Sequence, residues 1–131
     1  MAAPPEYERI APVAHQHGID PLFICAIRHA EQGRAGREFG VMLADATDYG
    51  SQLRGCVKTI RSCLLNYLHN PFVVHQATGF RRLIYSQRFI QHTAAVYCPI
   101  GVGNDPQGLN RYWLDNVSQA YLAYVEDVKG R

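Results

Sequence analysis

Asp20-Pro21-Leu22-Phe23-Ile24-Cys25-Ala26-Ile27-Arg28-His29-Ala30-Glu31-Gln32-Gly33 is the stretch on which a reading of this chain turns. Asp20 is a good N-cap, because a short carboxylate accepts from the free amides of a first helical turn. Pro21 suits the first helical position, where no amide hydrogen is needed. A helix from Leu22 to Gln32 follows, with Gly33 as its stop. At about 100° per residue, Ile24, Ile27 and Glu31 fall within about 60° of one another. A carboxylate therefore shares a face with two isoleucines at the C-terminal end of a mostly apolar helix. Loss of hydration raises the pKa of such a group. The negative end of the helix dipole acts in the same direction. A carboxyl that holds its proton toward neutral pH is what general-acid catalysis requires. The alternative for Glu31 is a turn out to water, or a pair with Arg28, Arg34 or Arg37.

The residues after the acid add to this reading. Gly33, Gly36 and Gly40 permit a tight backbone path and close approach of a ligand. On either side the chain reads as further helices. One is expected from Pro5 to His17, with Tyr7, Ile10, Ala11 and Ala14 on one stripe and Pro12 kinking it or delaying its start. The clearest carries Leu53, Cys56, Val57, Ile60, Cys63, Leu64, Tyr67 and Leu68 at i, i+3, i+4, i+7 spacing and ends at Asn70-Pro71. Ser86 caps a helix through Tyr97, with Phe89, Ile90, Thr93, Ala94 and Tyr97 inward. A last helix covers Leu109 to Val128, with Leu109, Trp113, Val117, Tyr121, Tyr124 and Val128 as its buried stripe. The segment Phe72–Tyr85 is the least certain. Two long polar connections, Gly33–Asp48 and Cys98–Gly108, are the places where function concentrates in such a domain. A short hairpin is considered within Gly36–Tyr49. The expected fold is all-α, with one short hairpin at most.

Composition narrows the function classes. The 131 residues fit one domain, residues 1–131. Apolar residues make up 47% and charged residues 18%, an ordinary globular balance. A net charge of +2 does not mark a nucleic-acid surface, and no run approaches the roughly 18 apolar residues of a membrane span. Met1–Glu6 shows neither a basic nor a long apolar stretch, so no secretory signal is visible. None of Cys25, Cys56, Cys63 and Cys98 forms a CxxC pair. Together with the spacing of the six histidines, this leaves no zinc pattern, so no metal is expected. Cys56 and Cys63 share a helix face about 10 Å apart, too far to bridge each other. Pairing of either with Cys25 or Cys98 stays open.

Ala30-Glu31-Gln32-Gly33, Phe39-Gly40-Val41-Met42, Tyr97 through Asn104, and Tyr124-Val125 with Val128 stand in an order that resembles the lysozyme-like superfamily. The likeness is to soluble lytic transglycosylases and goose-type lysozymes. It is closest to small phage or prophage cell-wall-degrading proteins, through Pro99-Ile100-Gly101, Asn104-Asp105-Pro106 and Leu109-Asn110. Where the family commonly has Ser after its catalytic Glu this chain has Gln32, and Leu43 rather than Gln follows Met42.

The resemblance implies a single lysozyme-like helical domain with a substrate cleft, and a lytic transglycosylase acting on the β-1,4 bond between N-acetylmuramic acid and N-acetylglucosamine. Glu31 would be the acid, and Phe39, Gly40, Met42, Tyr97, Asn104 and Tyr124 the substrate contacts. No cofactor is needed. The partner is the peptidoglycan glycan strand, with no nucleic acid and no membrane span, and a monomer is expected. The place of action is the cell wall, periplasmic or extracellular, reached by phage-type or secretion-system delivery. Two alternatives stand beside it. One is a muramidase-type hydrolase using a second carboxylate from Glu38, Asp45 or Asp48. The other is a non-catalytic wall-binding domain on the same scaffold.

Overall fold

The computed structural model describes residues 4–77, 80–97 and 109–129. Among them the order is α1 (Tyr7–Gln16), α2 (Pro21–Glu31), α3 (Tyr49–Asn66), β1 (Phe72–Ala77), β2 (Phe80–Tyr85), α4 (Gln87–Tyr97) and α5 (Leu109–Lys129). The chain is thus mostly helical, with one small antiparallel two-stranded sheet. No described helix is long and apolar enough to cross a membrane.

Helix α2 is the axis of the molecule. Its residues Pro21 through Ile27 are all buried, so it is apolar on every side for two turns, as a central helix must be. It packs chiefly on α5 and then on α1. Each Leu, Ile or Phe so buried contributes about 1.5–3 kcal/mol. Asp20 starts the helix as expected, accepting from the Leu22 amide at 3.1 Å. The same carboxylate accepts from the Tyr121 hydroxyl at 2.6 Å and from Arg82 at 3.3 Å. One cap therefore ties α2 to α5 and to β2. Phe23, Tyr85, Phe89 and Tyr121 close around this point, with Phe23 edge-on to Tyr85 and to Tyr121 at ring separations of 5.0 and 5.3 Å.

Several expectations change. The hairpin lies at Phe72–Tyr85, in register Phe72↔Tyr85 through Ala77↔Phe80, and not within Gly36–Tyr49. Phe72-Val73-Val74 and Leu83-Ile84-Tyr85 supply the β-branched and aromatic residues a strand favours. The glycine-rich loop instead curls through the bonds Arg37 N–H to Arg34 O, Gly40 N–H to Arg37 O and Ala46 N–H to Leu43 O. Helix α3 ends at Asn66, before Asn70-Pro71, so Leu68 is 92% exposed instead of buried. Pro12 lies inside α1 and neither ends it nor delays it. Its ring faces out, and the missing amide leaves only one carbonyl without its helical donor. On α5 the buried face is Trp113, Val117, Tyr121 and Val125, while Tyr124 is half-buried. Leu109 and Val128 belong to α5, but their side chains, like Cys98 and Asn104 in the preceding segment, lie outside the described residues.

Candidate active site around Glu31

Glu31 is the last residue of α2. Gln32 caps the helix in the left-handed region at φ 49°, and Gly33 then brings the loop back onto itself. A Cβ at Gly33 would sit 1.8 Å from the Arg37 carbonyl oxygen, so only glycine admits this path. The loop passes the acid at Gly40, whose φ is +69° and whose absent Cβ would fall 2.5 Å from Glu31 Oε1. The carboxylate thus packs on bare backbone.

Gln52, on the first turns of α3, holds the loop there. It is fully buried. Its Oε1 accepts from the amides of Phe39 and Val41 at 3.2 and 3.0 Å. Its Nε2 donates to the carbonyls of Val41 and Ala46 at 2.8 and 2.7 Å. One side chain replaces the strand partner that this irregular segment lacks.

From the far end of the chain α5 contributes Trp113, whose indole Nε1 donates to Glu31 Oε2 at 3.2 Å. Tyr97 of α4 stacks on that indole, ring centres 5.2 Å apart, and its hydroxyl donates to the Phe39 carbonyl. Burial drives the Glu31 carboxyl above the ordinary Glu range, and the Trp113 bond offsets this only in part. Among the described residues no arginine counters it. Arg28 points to Glu6, at 3.0 Å from Nε to Oε1, and to the carbonyls of Gly33 and Glu38. Arg37 donates to the Ala46 and Gly36 carbonyls. Burial, and then the neighbouring Cys56 and Glu31, hold the Tyr97 phenol well above its usual value, so it stays a neutral donor.

An open groove of about 400 Å³ borders Gly40 and is lined by Val41, Met42, Leu43, Thr59, Val96 and Tyr97. Met42 is 85% exposed on its rim. The groove is mostly apolar at its walls, which suits the CH faces of a sugar ring, and Gly40, on its border, is the residue packed against the Glu31 carboxyl.

The expected site residues divide. Glu31, Gly40, Met42 and Tyr97 gather around the acid and this groove. Phe39 does not offer its ring to a ligand. It is buried edge-on against Tyr49, 5.6 Å between ring centres, and takes part through its backbone amide and carbonyl. Tyr124 lines a separate pocket of about 210 Å³ with Glu6, Cys25 and Arg28. It moves there because the α5 face turned to Glu31 is that of Trp113. Among the loop carboxylates, Glu38 is buried and accepts from the Gly36 amide at 3.1 Å. Asp48 caps α3 through the Ser51 amide at 2.8 Å, and Asp45 is exposed. None of the three contacts Glu31 among the described hydrogen bonds.

Two residues of the site escaped sequence reading. In sequence Trp113 reads as one residue of a buried stripe, and the signal in it is that a buried indole N–H needs an acceptor. Gln52 lies four residues before Cys56 on the apolar face of α3, a polar residue at a core position, as Glu31 is. Cys25, Cys56 and Cys63 are free, buried thiols, and burial pushes Cys56 up to about 12, far from a reactive thiolate. Among the described residues no three His, Cys, Asp or Glu side chains cluster to hold a metal. Compared with known proteins, the chain matches no family model, no curated protein and no solved structure.

Proposed function

We propose that the protein is a peptidoglycan-cleaving glycosidase of the lytic transglycosylase type, with Glu31 as its single acid/base. The observation that carries this is the carboxyl of Glu31. It is raised in pKa by burial, has no arginine partner among the described residues, and stands against the bare backbone of Gly40, which borders an open groove. A carboxyl in that state is suited to giving a proton to a leaving glycosidic oxygen.

In the proposed reaction Glu31 protonates the oxygen between N-acetylmuramic acid and N-acetylglucosamine as the C1–O bond breaks. The acetamido group of the muramic residue assists departure. The ionised Glu31 then takes the proton of the C6 hydroxyl as O6 bonds to C1, which closes a 1,6-anhydro ring and restores the acid. Trp113 donates to Glu31 Oε2 throughout, easing the ionised form and fixing the carboxyl plane. A hydrolase with a second carboxylate is less favoured, because Glu38 and Asp48 already accept from backbone amides and Asp45 is out in solvent. The partner would be the glycan strand, and the place of action the cell wall.

The test is mass spectrometry of purified peptidoglycan digested by the wild type and by Glu31→Gln. Anhydro-muramic products that disappear in the variant, with at least a ~10²-fold fall in rate, support the reading. Reducing-end products would make the enzyme a muramidase-type hydrolase. Full turnover by Glu31→Gln would sink the assignment of the acid.

A further inference from the structure

Ala30 and Gln32, the chain neighbours of Glu31, line a second groove. It is also about 400 Å³ and lies between the end of α2 and the outer face of α5. Its polar lining is His29, Gln32, Asn116 and Gln119, and its remaining walls are alanines. These chemistries differ from the groove of Met42 and Tyr97. Three carboxamides each offer a donor and an acceptor, which is the pattern of a secondary amide itself. Small alanines let a chain come close. Among the described residues no lysine, arginine or carboxylate lines it, so the described lining is not built for an ionic group. Among the described residues the three carboxamides have no hydrogen-bond partner of their own, and all three residues are exposed.

Gln32 gives an independent reason. It holds φ 49° at the C-cap, where glycine is the residue local folding favours. A side chain in that region costs stability, and such strain concentrates at ligand sites. The strain brings a carboxamide into the groove one residue after the acid.

We propose that this groove is a binding site for secondary amides of the substrate, recognised by Gln32, Asn116 and Gln119. The inference rests on the proposed glycan-cleaving activity. Peptidoglycan carries such amides in two places, the acetamido groups of the sugars and the stem peptides. A strand entering this groove would be held by amide pairing through Gln32, the residue after the acid.

The experiment uses the full chain carrying Glu31→Gln as a non-cleaving binder. Calorimetric titration is done with an N-acetylglucosamine hexamer and with a peptidoglycan fragment that retains its stem peptides. Asn116→Leu/Gln119→Leu, both on an exposed helix face, is expected to keep the wild-type Tm. It should weaken binding about tenfold or more, from two lost amide pairs. In the otherwise wild-type enzyme the same change should raise KM and leave kcat in place. Binding of the hexamer assigns the groove to acetamido groups, and binding of only the peptide-bearing fragment assigns it to stem peptides.

Gln32→Gly separates recognition from structure. It should raise Tm by a few degrees, by relieving the left-handed strain, while lowering affinity. A Gln32 kept for folding alone would lose Tm and keep affinity. Unchanged Kd and KM in the Asn116/Gln119 variant, or no binding of either probe, overturns the inference even if Glu31→Gln abolishes turnover. Full turnover by Glu31→Gln overturns the catalytic reading instead, and the titration still reports on the groove.

Discussion

Glu6 and Glu31 both meet the C-terminal turns of α2, Glu6 through Arg28 and Glu31 as its last residue, yet the fold treats them in opposite ways. Glu6 precedes α1 at φ 64° and is gripped by charge. Arg28 meets both of its oxygens at 3.0 and 3.3 Å, and the Tyr49 hydroxyl donates to it at 2.6 Å. Arg9 lies over the Tyr49 ring, 3.6 Å from its centre. Burial pushes Glu6 up, but the Tyr49 bond and Arg28 outweigh it, and its net shift is downward. Glu31 is half-buried like Glu6, but its one described donor is an uncharged indole, and its net shift is upward. The two carboxylates differ in partner, not in burial alone. Arg28 sits on the turn of α2 just before Glu31, so the helix supplies a guanidinium and aims it away from the second acid.

The comparison breaks most visibly through Glu31 itself. Glu31→Gln keeps an oxygen for Trp113 and should remove at least ~10²-fold of activity on peptidoglycan with the fold intact by circular dichroism. Next comes Arg28→Met. It leaves Glu6 half-buried without its cation and frees the bonds to the Gly33 and Glu38 carbonyls. A loss of about 2 kcal/mol in urea unfolding is expected, discounted from the cost of a fully buried broken pair. A loss under about 0.5 kcal/mol would show the pair to be ornamental.

Gly40→Ala should cost less stability, about 1 kcal/mol, from the positive φ. Its methyl would nonetheless displace the Glu31 carboxyl, so activity should fall about tenfold or more. Activity falling only in proportion to unfolded protein would remove Gly40 from the site.

The smallest effect is one of pH slope. Ionising Glu31 is harder in the folded chain, so its contribution is present below the ordinary Glu pKa and is lost as pH rises through the raised folded value. Ionising Glu6 is easier when folded, so its contribution is present above the ordinary pKa and is lost as pH falls through the lowered one. Relative to wild type, Glu31→Gln should therefore gain Tm at neutral pH and lose that gain in acid. Glu6→Gln should lose Tm at neutral pH and approach wild type in acid. Thermal scans from pH 3 to about 7.5 would show the two differences running in opposite directions, and parallel curves would erase the contrast.

Much of the helical content was legible from local pattern. The Asp20-Pro21 start and the apolar run after it specify α2, and the stripe of Leu53, Cys56, Val57, Ile60 and Cys63 specifies α3. The end of α3 was not legible, because Tyr67 and Leu68 continue the apolar period while the backbone has already turned extended at Tyr67. Nor was the site of the hairpin. A short hairpin within Gly36–Tyr49 is open from sequence, but that loop pairs amides and carbonyls with Gln52 and needs no second strand.

By itself the sequence determined that a glutamate would end an apolar helix beside a glycine-rich loop, because helix periodicity and capping act over a few residues. Only the tertiary structure decided what surrounds that glutamate. The indole of Trp113 reaches it across 82 positions of chain, Gly40 lies against it because Gln52 pins the loop, and Arg28 is drawn off by Glu6 from 22 residues upstream. Those are packing outcomes between elements distant in sequence, and no local period records them. They set the direction of the Glu31 shift, on which the proposed acid/base role rests.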